Sequence, residues 1–225
     1  MARIYSILVV ILFVALFNSA FTKTVYEKLT HNQIQENLVK FNKWVQEETN
    51  TINNPLFELR LTSDGQIGVF STKDLNKEDL FFVFSTKLVL SAESIYTGKY
   101  TEFVKDIEKK YGYDELTYFV ILLVEEYFNP NSHWRAYLDI LPRIPLSPIH
   151  DYWNNSKWLE PELLGTTVLR KLVDYKISIE KKANSLVRGL FSKAPELFDP
   201  EIFNEDNVEW ALNMIDTRLQ TINYR

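Results

Sequence analysis

The sequence has no cysteine and only three histidines, His31, His133 and His150. Disulfides, thiolate nucleophiles and Cys-ligated zinc are therefore excluded, and imidazole chemistry rests on three widely spaced rings. His133 and His150 have no third ligand in view, so they read as surface or core rings and no metal site is assigned. A strong charge of one sign is also missing: 25 Lys and Arg against 30 Asp and Glu leave a net charge of -5. Such a balance gives no general grip on a phosphate backbone, and nucleic acid is not an expected partner. Long hydrophobic runs are missing too. The main one, Ile4 to Phe17, holds 14 residues interrupted by Tyr5 and Ser6, short of the ~20 that a spanning helix requires. No internal repeat and no low-complexity stretch is present.

What remains is an ordinary globular composition, with 46% hydrophobic and 24% charged residues in 225, enough chain for one large domain or a small core carrying an insertion. Arg3 precedes the apolar run and Asn18-Ser19-Ala20 follows it with small residues. Residues 1-22 are thus expected to be a signal peptide that sends the chain into the secretory pathway, leaving no stable membrane span after cleavage; an uncleaved signal anchor is the alternative. On that route Asn154-Asn155-Ser156 is a glycosylation sequon.

The spacing of Ile34, Leu38, Phe41, Trp44 and Val45 predicts an amphipathic helix, opened by a capping box between Thr30 and Gln33. Phe57 to Leu61 alternates with period two, Ser63-Asp64-Gly65 signals a turn, and Ile67 to Phe70 and Leu80 to Phe84 read as short strands. Helices dominate from Tyr100 onward. Leu116 to Phe128 is strongly apolar, His133 to Leu141 is amphipathic up to Pro142, and Thr166 to Phe191 carries apolar residues at helical spacing. A last helix begins after an Asn204 cap, with Val208, Ala211, Leu212, Ile215 and Leu219 on one face. Pro142 to Pro148 and Pro195 to Pro200 are the clearest breaks.

The glycines of Asp64-Gly65-Gln66-Ile67-Gly68 allow close backbone approach or positive φ, which by composition alone means a hairpin turn. Trp134, Trp153 and Trp158 are read as core aromatics in preference to a cation cage. Lys176, Lys181, Lys182 and Arg188, interleaved with acids, read as a solvated helix face, and Glu125-Glu126 as the polar edge of an apolar helix.

The run from Asp64 to Leu80, a glycine-containing turn leading into a strand and then a pattern of the form a-x-x-d-i-x-k-g-e, resembles the opening of SET domains. Ser132 to Pro142 resembles the s-x-w-x-x-y-l-x-x-l-p helix of the Rubisco-lysine-methyltransferase-like SET proteins, a group that includes the actin-histidine methyltransferase. Pro148 to Leu159 with Trp153 is similar to their p-x-x-w segment, Leu163-Leu164-Gly165-Thr166 to their l-x-g-t helix entry, and Val208 to Leu212 through Thr217-Arg218 to their f-x-W-A to s/t-R helix. The resemblance covers most of residues 33 to 219. It implies an α+β fold: a partial SET β-fold of short strands at 23-225, with a large helical insertion at about 92-205 and the C-terminal SET strands missing.

The same resemblance implies methyl transfer from S-adenosylmethionine to a protein substrate, on lysine or histidine. Gly65, Gln66 and Ile67 would contact the cofactor largely through backbone, and Arg218 would sit at the cofactor and substrate site. Gln66 stands where the family commonly has glycine. The family's Asn-His segment and its later tyrosine near the methyl-transfer site do not occur in these 225 residues, so no catalytic residue is assigned and the chain is expected to be inactive alone. A non-catalytic secreted or lumenal interaction module derived from the SET fold is the alternative.

Overall fold

The computed structural model describes residues 5-8, 30-50, 55-63, 67-78, 88-91, 95, 99-111, 115-142 and 164-222. In chain order the elements are β1 (Tyr5–Leu8), α1 (His31–Glu48), β2 (Phe57–Leu61), β3 (Ile67–Ser71), β4 (Leu90–Ser91), α2 (Thr101–Tyr111), α3 (Glu115–Phe128), α4 (Arg135–Leu138), α5 (Thr167–Gly189), a 3-10 turn (Phe191–Lys193), α6 (Glu205–Arg218) and β5 (Gln220–Ile222). The chain divides into two compact units. The first comprises Met1–Ser91, Asn129–Pro142 and Arg218–Arg225, the second Ala92–Phe128 and Arg143–Thr217. Residues 129-142 lie inside the 92-205 span read from the sequence as the insertion, and they belong to the first unit. The expected strand at Leu80 to Phe84, the p-x-x-w segment and the sequon fall outside the described residues.

In the first unit, the capping box starts α1 as the sequence predicts. Gln33 N donates to Thr30 Oγ1 at 3.3 Å, and Thr30 N donates to Gln33 Oε1 at 2.8 Å, so two otherwise orphaned donors are satisfied at the helix start. Ile34, Leu38, Phe41 and Val45 are buried on one stripe. The helix stops where the Thr49 hydroxyl donates to Val45 O at 2.7 Å and Asn50 adopts φ +56°, a conformation that asparagine tolerates better than most residues.

Asn42, on the same helix, holds β2. Its Nδ2 donates to Leu59 O and its Oδ1 accepts from Leu59 N, both at 2.8 Å, so one carboxamide satisfies a strand residue as a neighbouring strand would. β2 and β3 pair antiparallel with Leu61 opposite Ile67 and Arg60 opposite Gly68. The Phe70 ring folds over Gly68, so closely that a Cβ there would lie 2.8 Å from it. The Arg60 guanidinium lies 5.5 Å from the centre of the same ring. Gly68 is therefore needed for close approach, not for positive φ.

A second sheet has the order β4-β1-β5, all antiparallel, with Ile7 opposite Ser91 and Gln220 and Tyr5 opposite Ile222. Its central strand lies within residues 1-22, so cleavage near residue 20 would remove β1. The predicted 133-141 helix is shorter than its pattern, only Arg135–Leu138. The α-helical bonds are Leu138 N to Trp134 O and Asp139 N to Arg135 O, and on either side the backbone turns to i→i+3 bonds, Arg135 N to Ser132 O and Ile140 N to Tyr137 O, both at 3.1 Å. Ser132 Oγ accepts from Trp134 N and Asp139 O from Asn37 Nδ2, each at 3.1 Å, which satisfies groups that a helix leaves open at its ends. Tyr137, Leu138, Ile140 and Leu141 are nonetheless buried.

In the second unit, α3 is covered on all sides from Thr117 to Val124, as expected of a helix apolar all round. Phe191, Phe198 and Phe203 are fully buried against one another, with ring centroids 4.7 to 5.1 Å apart, and Tyr100 stacks on Phe198 at 5.3 Å. Each such side chain contributes roughly 1.5–3 kcal/mol by burial. The Tyr100 hydroxyl donates to Glu125 Oε2 at 2.5 Å, while Lys99 Nζ pairs with the other oxygen at 2.6 Å. Glu125 is thus a partnered carboxylate, more than a polar helix edge. Burial first, then the Glu125 hydrogen bond and charge, push the Tyr100 phenol far up.

Thr166 caps α5 and Asn204 caps α6, Asn207 N donating to Asn204 Oδ1 at 3.0 Å. α6 buries Val208 and Trp210 through Ile215, while Leu219 falls past its end. Lys176 departs from the solvated-face reading. Its side chain is only 18% exposed and pairs with Glu180 at 3.2 Å.

Two outcomes follow. Glu78 has φ +78°, and the glycine of the a-x-x-d-i-x-k-g-e pattern falls on this position. A left-handed conformation costs an L residue about 1–2 kcal/mol, of which glycine's greater unfolded-state freedom returns part. Glu78→Gly is expected to stabilise the fold by about 1 kcal/mol in chemical denaturation, whereas Glu78→Ala, with the same strain, gives no gain. Glu209 is pushed above the ordinary carboxylate range by partial burial and then by Glu180. Its folded form therefore holds a proton more tightly than its unfolded form, and stability is lost as pH rises past the ordinary value of 4.5. Glu209→Gln should raise the melting temperature at pH 7 and leave it unchanged at pH 3.

Candidate functional site

Of the four residues implicated by resemblance, Ile67 and Arg218 are described; Gly65 and Gln66 lie outside the described residues. Ile67 opens β3, is 6% exposed and pairs with Leu61. Its side chain belongs to the core of the first unit, which leaves its backbone as the part available to a ligand. Arg218 closes α6, where a cation complements the negative end of the helix dipole. Two residues later β5 begins, paired with β1. The Thr217 hydroxyl donates to Asn213 O at 2.9 Å, which satisfies a carbonyl in the last helical turn.

Arg218 is half-buried, and its charge reaches a second group of the same unit. Tyr137 of α4 is buried against Phe41, their rings 6.5 Å apart. Burial pushes the Tyr137 phenol up, and the Arg218 guanidinium acts in the opposite direction. The first unit thus contains the head of β3, a half-buried guanidinium and a neighbouring buried phenol. A guanidinium in this position can bind a carboxylate through two parallel hydrogen bonds.

The remaining candidates resolve differently. His133 stands edge-on to Trp44 at 5.8 Å and to Trp134 at 5.4 Å, with Nε2 4.0 Å from Glu48 Oε1. Trp134 is thus part of an aromatic packing group, and Trp153, Trp158 and His150 lie outside the described residues. Among the described residues no group of three or more His, Asp or Glu is placed to hold a metal ion. Tyr137 was visible only as a letter of a pattern, and the Tyr100-Glu125-Lys99 group joins residues 25 positions apart, beyond the reach of helical periodicity.

No protein-family model matches the chain. Curated proteins similar to it include the following three. The chloroplastic [fructose-bisphosphate aldolase]-lysine N-methyltransferase of Arabidopsis thaliana is 21% identical over 187 residues, covering 83% of this chain and 36% of that protein. The N-lysine methyltransferase setd6 of Danio rerio is 22% identical, covering 76% and 36%. The chloroplastic Rubisco large subunit N-methyltransferase of Pisum sativum is 21% identical, covering 79% and 34%. The chain spans about a third of the length of these relatives. Among solved structures, the SET domain of LSMT bound to lysine and AdoHcy matches with a TM-score of 0.63 at 21% identity, over 78% of this chain and 37% of that one. Rubisco LSMT bound to AdoMet matches with the same TM-score at 22% identity. The chain therefore has the fold of the LSMT SET domain over 78% of its length, and its relatives are the Rubisco-LSMT-like and setd6 SET-domain lysine methyltransferases.

Proposed function

We propose that these 225 residues form the front part of an S-adenosylmethionine-dependent protein-lysine methyltransferase of SET type. The observation that carries this reading is the LSMT SET-domain fold across 78% of the chain, together with the ordered motifs that end at Thr217-Arg218.

The residues present suit such a cofactor in donor chemistry. The half-buried Arg218 guanidinium matches an amino-acid carboxylate. The head of β3, where Ile67 presents backbone because its side chain is committed to the core, suits a ligand held through main-chain atoms, with Gly65 and Gln66 just before it. S-adenosylmethionine, when bound, supplies a methyl group on a sulfonium, which a neutral amine can attack. The part of these residues is to hold and orient. Arg218 would hold the carboxylate end and the β3 backbone would hold the edge, which would orient the methyl group toward a protein amine. Nothing in Ile67 or Arg218 removes the proton from that amine.

A division of activity follows. The product of the full coding sequence that contains these residues is expected to transfer radiolabelled methyl groups to lysine in mixed protein substrates. The 225 residues alone are expected to bind the cofactor weakly and transfer none, since each lost convergent contact of ~1.4 kcal/mol weakens binding tenfold. Calorimetric titration with the cofactor and the transfer assay check both arms. A full-length product that binds no cofactor would instead support the non-catalytic interaction module.

For residues 1-22 we propose delivery to the secretory pathway. Among the described residues no helix is long and apolar enough to cross a membrane. N-terminal sequencing of protein expressed in a secreting cell is expected to begin close to residue 21. A chain that begins at Met1 or Ala2 and keeps β1 would overturn the proposal.

A further inference from the structure

Helix α5 is fastened unevenly. Of its 23 residues only Ala183 and Leu186 are buried, both near its C-terminal end, and buried Leu190 and Phe191 follow directly. From Thr167 to Lys182 no residue is buried. Leu169, Leu172, Val173 and Ile179 are half-covered, and Val168 and Ile177 are 50% and 40% exposed. α6 differs sharply, with seven buried residues.

The hydrogen bonds and ion pairs divide in the same way. Beyond Ala183, Asn184 Nδ2 and Arg188 Nε both reach Glu205 at the start of α6, at 3.0 and 3.3 Å, so polar ties there reinforce apolar burial. Before Ala183 the Tyr175 hydroxyl ties the helix to α6, donating to Asp216 Oδ2 at 2.7 Å. Burial of the phenol, followed by Asp216 itself, pushes Tyr175 up and keeps it a donor at physiological pH. Lys176, paired with Glu180, adds its charge beside Glu209. Segments with few buried apolar contacts open locally at lower free energy than the core to which they belong.

We propose that Thr167–Lys182 is an arm that separates from α6 by local unfolding as far as Ala183, while Ala183–Gly189 and α6 stay closed, and that the Tyr175–Asp216 hydrogen bond is its latch. This inference does not depend on the methyltransferase reading. Release of the latch frees about four turns of helix and uncovers the apolar side formed by Leu169, Leu172, Val173 and Ile179. The result is a conformational device inside the helical unit.

Native-state hydrogen exchange on the full chain and on Tyr175→Phe tests it. Amides of 167-182 are expected to exchange at least tenfold faster than those of 183-189. Tyr175→Phe should accelerate the former about fivefold further, the effect of one ordinary hydrogen bond, and leave 183-189 and α6 unchanged. Simple fraying from Thr166 would confine fast exchange to the first turn and leave 175-182 as protected as 183-189; that result, or equal protection along all of α5, would overturn the arm. Faster exchange everywhere in the variant, or none in 167-182, would overturn the latch. Asp216→Asn keeps an acceptor oxygen and should fall between the two; exchange as fast as in Tyr175→Phe would likewise count against the latch.

Discussion

The first unit depends on one carboxamide. Asn42 sits on a helix whose apolar stripe faces the core, and it spends both its donor and its acceptor on the backbone of Leu59. A buried strand residue with neither group satisfied would cost the desolvation of both. With both satisfied, β2 is fixed against α1 with its register set. Through Leu61 opposite Ile67, that register also fixes the head of β3. The strand edge proposed to meet a cofactor is therefore placed through a residue of α1, and its geometry is only as firm as that pair of hydrogen bonds.

The second unit rests on shape and apolar contact. α3 has no polar side for most of its length, and such a helix is stable only when covered all round. The aromatic group around Phe198 answers the same demand with large flat rings that pack at offset and edge angles, as their charge distribution favours. Polar chemistry there is secondary and local. Glu125 joins Tyr100 and Lys99, and Asp216 joins Tyr175, each at the margin of the apolar interior. At these margins burial is partial, and it raises both phenols, Tyr100 and Tyr175.

Much of this was legible in the sequence, where a short-range rule decides the outcome. The capping box at Thr30 and Gln33, the stripe of α1, the alternation of β2 and the Asn204 cap each depend on residues within one or two turns, and the structure has them as read. The 133-141 pattern fares differently: the backbone turns to i→i+3 bonds at Ile140 and Leu141, and Asp139 O is engaged by Asn37, 102 residues away in the chain. Lys176 looked like one more solvated cation, yet partial burial among Glu180 and Glu209 makes it a structural charge. Pairings at such range leave no periodic trace. Of the proposed site, Arg218 and Ile67 are indicated by motif order alone; the nearness of Tyr137 to Arg218 requires the fold.

The motif resemblance and the backbone also disagree at one point, and the disagreement is informative. The family pattern places glycine where this chain has Glu78, and the backbone still takes the glycine conformation there. The turn geometry has thus been kept while the residue that makes it inexpensive has not. A side chain can be held at positive φ only when its surroundings fix the turn more strongly than the strain opposes it. At Glu78 the shape of the turn is therefore imposed from outside this residue, whose own preference opposes it.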